Sequence, residues 1–297
     1  MSATTVEAPD LSPTGLALRR LAGNRTALAS LVVVACFALM ALLAPWIAPQ
    51  DPTDADLFRR LLPPAWMEGA EPGFWLGADG LGRDILSRLI HGARVSLSVA
   101  AIVVGIAAVI GTLAGLAAGY LREWVDVAVS RLVDTLLGFP YLVFAIGLMA
   151  MMGPGLHNII LALVLKEWVF TCRVVRGETL VAREQDYVEA ARAIGCGPRH
   201  IMLREILPNV LSPVLVVATF RMAYVIIMEA SLSFLGLGVQ PPTPSWGSMV
   251  ADGRDFLVEA WWVSTLPGLA ILLPVLSINL ASQGLRDAFD PRLHQPS

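Results

Sequence analysis

The chain has 297 residues, of which 56% are hydrophobic and only 15% charged; a soluble protein carries about a quarter charged residues, so the starting class is an integral membrane protein. The formal net charge of −3 carries no argument for nucleic acid, and no nucleic-acid partner is expected. Three cysteines, Cys36, Cys172 and Cys196, cannot all pair and show no CxxC spacing, which argues against a disulfide framework or a zinc site.

Residues 1–26 are polar with a late arginine cluster, and are read as a cytoplasmic N-terminal segment. The apolar run 27–47 is the first predicted span, ending at "APWIAP" with Trp46 in the interface. It is too long for the apolar region of a signal peptide and lacks a clean small-x-small cleavage site, so it is read as retained. Residues 48–94 form an external segment. Within it "GADGLGRDILSR" lacks the spacing of a nucleotide loop or an EF-hand. Ion pairs and caps among Asp79, Arg83, Asp84 and Arg88 are its expected role; contact with a partner protein is the alternative.

A five-span core is predicted over 95–283. The second span, 95–119, places Gly111, Gly115 and Gly119 on one GxxxGxxxG face, suited to close packing inside this chain or against a partner. The third, 132–152, contains Pro140, which membrane helices tolerate when neighbours satisfy the freed carbonyls. The fourth, fifth and sixth are 158–175, 211–235 and 262–280, the last with Pro267 and Pro274 inside. Residues 284–297 are a cytoplasmic tail. Thirteen Lys and Arg fall in the N-terminus, 120–131, 173–210 and the tail, against six in the other connections. The positive-inside rule then places both termini, and the loop 177–210, in the cytoplasm. Trp46, Trp124, Trp261 and Trp262 all fall near predicted span ends, as interfacial tryptophans should.

That loop contains "EAARAIGCGPRHIMLREILPN", residues 189–209. Helix formers run up to Gly195, Gly197-Pro198 breaks them, and apolar Ile201, Leu203 and Ile206 then recur among charges. Two short, partly amphipathic helices at the membrane surface are predicted. A solvated basic loop that merely anchors topology is the alternative.

Two predicted spans carry internal charge. Lys166 and Glu167 sit inside the fourth, where each charge costs about 2.5–3.5 kcal/mol near a helix centre. They are expected either to face a water-filled translocation path or to be absorbed by snorkelling and local pairing. Arg221 and Glu229, eight residues apart on the fifth span, lie about 12 Å apart along a helix, too far to bond each other. Each is expected to pair with another helix or with a neighbouring subunit.

The stretch Glu189-Ala190-Ala191, Gly195, Leu207-Pro208 resembles the EAA loop of bacterial ABC importer permeases. "WLGADGLGRDILSRLIHGARVSL" (75–97), "EASLSFLGLGVQPPTPSWGSMVADG" (229–253) and "GLRDAFDPR" (284–292) resemble segments of the dipeptide/oligopeptide/nickel subfamily, and point to the second, C-type permease of a heterodimeric pair. The resemblance covers residues 75–292. It implies an all-α, six-span protein of the type I importer permease fold, multi-pass in the bacterial cytoplasmic membrane. It implies ATPase coupling through Glu189, Ala190, Ala191, Gly195, Leu207 and Pro208. Implied partners are a homologous permease, two ATPase subunits and an extracytoplasmic solute-binding protein. One departure is local: the family's isoleucine ten residues after the glycine is Glu205 here, with Ile206 one place on. The subfamily also usually has uncharged residues where Lys166 and Glu167 stand.

The single lysine, Lys166, follows no glycine-rich turn, so there is no phosphate-binding loop of the Walker type. No catalytic residue, cofactor or metal is therefore expected in this chain; ATP and magnesium belong on the partner ATPases. The rival reading is an ion-driven secondary transporter with Lys166, Glu167 and Glu229 as a relay.

Overall fold

The computed structural model describes residues 23–289; the predicted N-terminal segment 1–26, up to residue 22, and the tail beyond 289 lie outside the described residues. Nine helices organise the described chain. They are α1 (Arg25–Ile47), α2 (Ile85–Leu121), α3 (Glu123–Gly138), α4 (Tyr141–Met152), α5 (Leu156–Ala182), α6 (Asp186–Ala193), α7 (Pro198–Phe234), α8 (Trp246–Gly253) and α9 (Trp262–Phe289), with single 3-10 turns at Leu57–Arg59 and Arg254–Phe256. Among the described residues there is no sheet.

Four helices, α1, α2, α7 and α9, are long and apolar enough to cross a membrane, and α3 with α4 makes a fifth if the bent pair is one span. The predicted third span is therefore not a helix kinked at Pro140. It is two helices meeting at 91°. Proline has no N–H to continue the ladder and pushes the residue before it out of the α region; Phe139 is accordingly extended, at φ −90° and ψ 135°. α5 covers the predicted fourth span at 27 residues, but Lys166, Glu167, Arg173 and Arg176 make it too polar to qualify by composition.

The small-residue face of α2 packs inside the chain, against α5. A Cβ on Gly111 would stand 2.5 Å from the Trp168 carbonyl oxygen, on Gly115 2.7 Å from that of Cys172, and on Gly119 2.7 Å from the Thr179 Cβ. Only hydrogen fits in these three places. The main core then joins α1, α2, α4, α5, α7, α8 and α9 through Ile85, Val103, Met149, Leu163, Ile226 and Trp246.

The segment between α1 and α2 is held by an ion network among Asp79, Arg83 and Arg88, with Asp84 as a cap, and with one addition. Asp84 caps α2, its Oδ2 accepting from the Ser87 N–H at 2.7 Å and from the Ser87 hydroxyl at 2.6 Å. Asp79 accepts from Arg83 Nε at 2.7 Å and lies 3.3 Å from Arg88 Nε, all three residues being buried. The addition is Asp252, from α8, which reaches Arg83 Nη2 at 3.4 Å and Arg88 Nη2 at 3.7 Å. Burial holds the Asp84 and Asp252 carboxyls above the usual carboxylate range. Gly82 makes the turn, at φ +76°, where any Cβ would collide with the Asp56 carbonyl oxygen.

α8 is wedged between the long helices. Ser245 and Ser248 form a capping box at its start. Trp246 is fully enclosed, donates its indole N–H to the Leu89 carbonyl at 3.0 Å and meets Phe37 edge-on at 5.9 Å. Trp46 and Trp124 are exposed, whereas Trp262 is only 4% exposed and belongs to the core.

Candidate functional site: the 186–208 segment and a buried charge cluster

The EAA-like stretch forms α6, a turn, and the first part of α7. Asp186 and Glu189 occupy the first turn of α6 and Arg192 the last, which suits the helix dipole at both ends. Val188 and Ala191 face inward, 0% and 7% exposed, onto Leu116 of α2, Val175 of α5 and Ile201, Ile206 and Val210 of α7. Ala191 is thus part of the seat, while Glu189 and Ala190 are exposed.

Gly195 ends α6. Its φ of +87° is a left-handed conformation, the Gly195 N–H donates to the Arg192 carbonyl at 3.0 Å, and the Cys196 N–H to that of Ala191 at 3.0 Å. This pair of bonds is the Schellman ending that glycine favours. Beside it Ile194 projects with 81% of its surface exposed, and Tyr187 is 39% exposed. The EAA-like motif singles out neither residue. An apolar residue one place before a helix-ending glycine is the signal that was there to find.

α7 begins at Pro198 and passes through a π-helical stretch, Ile201–Ile206, in which the Leu207 N–H reaches back to the Met202 carbonyl. Pro208, next in line, has no N–H to give, which accounts for the irregular ladder just before it. Leu207 is half-buried and Pro208 exposed. Ile206 is fully buried while Glu205 faces outward near His200 Nε2 at 3.7 Å. The displaced isoleucine therefore still fills the seat. α6 is fastened to α2 by Tyr120, whose ring lies under the Arg183 and Arg192 guanidiniums at 5.9 and 5.6 Å and whose carbonyl accepts from Arg183 Nη1 at 3.0 Å.

The second cluster lies on α5 and α7, outside this segment. Lys166 and Glu167 are 2% and 1% exposed. Glu167 pairs with Arg221 of α7 through Nε, and through Nη2 at 2.8 Å; it also accepts from the Tyr141 hydroxyl at 3.0 Å. The Arg221 guanidinium lies 3.9 Å from the Phe170 ring centroid and 4.2 Å from that of Tyr224. Lys166 donates to the Phe139 carbonyl at the α3–α4 break. Both side chains are enclosed by protein in this chain. Glu229 is 0% exposed and accepts from Ser96 at 2.8 Å and Ser233 at 2.7 Å, so it joins α2 to α7 within the chain. Sequence spacing relates Arg221 and Glu229 only as two charges on one helix; the fold gives each its own partners.

Residues 111–295 match the family described as binding-protein-dependent transport system inner membrane component. Residues 12–64 match the N-terminal transmembrane domain of oligopeptide transport permease C. The chain is 45% identical over 272 residues to the di/tripeptide transport system permease protein DppC of Pseudomonas aeruginosa, covering 92% of this chain and 90% of that one. It is 44% identical over 272 residues to the dipeptide transport system permease protein DppC of Escherichia coli, covering 92% and 91%. Among solved structures it is similar to the inward-facing MetNI methionine ABC transporter, with a TM-score of 0.55 at 19% identity over 68% of this chain and 96% of that chain, which shows a shared fold.

Proposed function

This chain belongs to the binding-protein-dependent transport system inner membrane component family, and from that premise we propose that it is a translocation subunit of an ATP-driven importer of di- or tripeptides or related small solutes. It spans the bacterial cytoplasmic membrane six times with both termini in the cytoplasm. It forms the pore with a homologous permease, receives solute from an extracytoplasmic binding protein, and stands on two ATPase subunits that hold the ATP and magnesium. α5 makes up the number of crossings to six; of its mid-helix charges, Glu167 is paired with Arg221 and Lys166 donates to the Phe139 carbonyl, so both are enclosed by protein.

The observation that carries the coupling assignment is the build of 186–208. Val188 and Ala191 are seated on three long helices, while Glu189, Ala190 and Ile194 are left outside. A push on those outer residues goes directly into α2, α5 and α7 and moves them as a rigid body. The relatives' names, with their di/tripeptide and dipeptide cargo, support the solute class. No observation favours the ion-driven reading: Glu167 is neutralised by Arg221, and Glu229 is closed off by two serines.

Two variants test the assignment in the full transporter, reconstituted in proteoliposomes with labelled dipeptide. Glu189→Lys and Gly195→Asp are expected to assemble and hydrolyse ATP while uptake falls about tenfold or more, a coupling loss of ordinary size. Normal import by either variant overturns the coupling assignment. Ile194→Asp is expected to weaken ATPase binding, read as loss of co-purification, since an exposed apolar residue at a docking point acts by burial; unchanged co-purification would remove Ile194 from the contact.

A further inference from the structure

Lys166 and Glu167 of α5 and Arg221 of α7 lie far from the ends of their helices. Lys166 is ten residues from Leu156 and Arg221 thirteen from Phe234, which at 1.5 Å per residue puts both about 15–20 Å from the helix ends. In a hydrocarbon core about 30 Å thick that is near the midplane. Unpartnered charge is costly there, so each group must be accounted for.

Glu167 and Arg221 account for each other, with Tyr141 adding a hydrogen bond and the Phe170 and Tyr224 rings covering the guanidinium. Lys166 is left without a carboxylate. Its ammonium donates to the Phe139 carbonyl and lies 5.5 and 5.6 Å from the Tyr141 and Phe144 ring centroids. Phe139 is the residue at which α3 ends. The last carbonyls of any helix lack partners and carry about half a negative charge, and Pro140 offers no N–H to relieve them. Lys166 thus supplies, from another helix, the cap that the break removes.

Consecutive residues on a helix point about 100° apart, so neighbours on α5 can hold different partners. Lys166 holds the end of α3. Glu167 holds Tyr141, the first residue of α4, and Arg221 of α7. α7 is the helix that runs from the 186–208 segment itself, starting at Pro198. We propose that Lys166-Glu167 is a positioning clamp that ties the α3–α4 bend to α7, so that a shift begun at the coupling segment reaches the bend. The proposal rests on the importer reading above. It makes Lys166 and Glu167 positioning residues of the transport step, acting through helix placement and not by touching solute.

The test uses the full transporter in proteoliposomes, with labelled dipeptide uptake and ATP hydrolysis measured on the same preparation. Lys166→Met removes the donor at similar length. It is expected to keep hydrolysis within about twofold of the unaltered transporter and to lower uptake per ATP about tenfold. Lys166→Gln keeps an N–H for the Phe139 carbonyl and is expected to recover most of that loss. A second readout follows the bend itself, with spin labels at exposed Val127 of α3 and Met151 of α4 in a background without Cys36, Cys172 and Cys196. The label distance distribution is expected to broaden in Lys166→Met and to stay narrow in Lys166→Gln. Unchanged uptake per ATP, or an unchanged distribution in Lys166→Met, overturns the clamp. If Lys166→Met does not assemble, Glu167→Gln is read in its place: broadening supports the clamp and an unaltered distribution overturns it. Absence of ATP-dependent uptake in the unaltered transporter would sink the importer reading, and the label distances would still decide the clamp.

Discussion

Gly115→Val is expected to destabilise the protein by about 3 kcal/mol, at the upper end of what overpacking usually costs. The reason is that α2 and α5 touch through backbone at this point. A Cβ on Gly115 would lie 2.7 Å from the Cys172 carbonyl oxygen, 2.8 Å from the Val175 Cβ and 3.0 Å from the Arg176 nitrogen. None of these is the tip of a flexible side chain, so the helices themselves must part. Parting them opens a gap along the whole interface, including Gly111 and Gly119. Gly105, on the same helix, has open space around it: a Cβ there would meet nothing within 4 Å. Gly105→Ala is accordingly expected to be neutral or slightly stabilising. Thermal unfolding of the detergent-purified protein compares the two. A Gly115→Val protein as stable as Gly105→Ala would mean that the α2–α5 contact is looser than described.

Asp79→Ala is expected to cost about 3–5 kcal/mol, the range for breaking a buried ion pair by removing one partner. Asp79 serves two arginines and two backbone groups at once: its Oδ1 accepts from the Leu81 and Arg83 N–H groups at 2.9 and 3.0 Å, while Oδ2 faces Arg83 and Arg88. Without it, the two enclosed guanidiniums share one carboxylate, Asp252, whose side chain is 50% exposed, and Arg88 keeps the Pro52 carbonyl besides, at 3.3 Å. The loss should appear as a lower unfolding temperature and as faster proteolysis within 48–84. Adding Arg83→Met to Asp79→Ala is expected to restore part of the stability, because it removes one stranded charge. Strict additivity of the two changes would show that they do not act on one network.

Much of this architecture is readable along the chain because it is written in local composition. Apolar runs mark α1, α2, α7 and α9, since lipid demands about twenty apolar residues of any crossing helix. The spacing of Gly111, Gly115 and Gly119 announces a close helix contact, because only hydrogen fits there, and Gly195 announces the end of α6, because its φ of +87° favours glycine. The EAA-like stretch is legible for the same reason: its seat residues and its turn are neighbours in sequence.

What stayed open is of another kind. Pro140 signals an interruption, but neither its 91° angle nor the contact of the Phe139 carbonyl with Lys166, 27 residues from Phe139, is written in the local sequence. Arg221 announces only that it needs a partner; Glu167 is 54 positions distant. Glu229 finds Ser96 across 133 residues, and Arg83 finds Asp252 across 169. Such pairings depend on which helices lie side by side and how each is rotated about its axis, quantities set by packing the whole bundle. Local order along the chain tells which segments are apolar, where they stop and which loop is broken by glycine. Which charge answers which is settled only when the helices are packed, because electrostatic pairing acts over a few ångströms of space and is indifferent to distance along the chain.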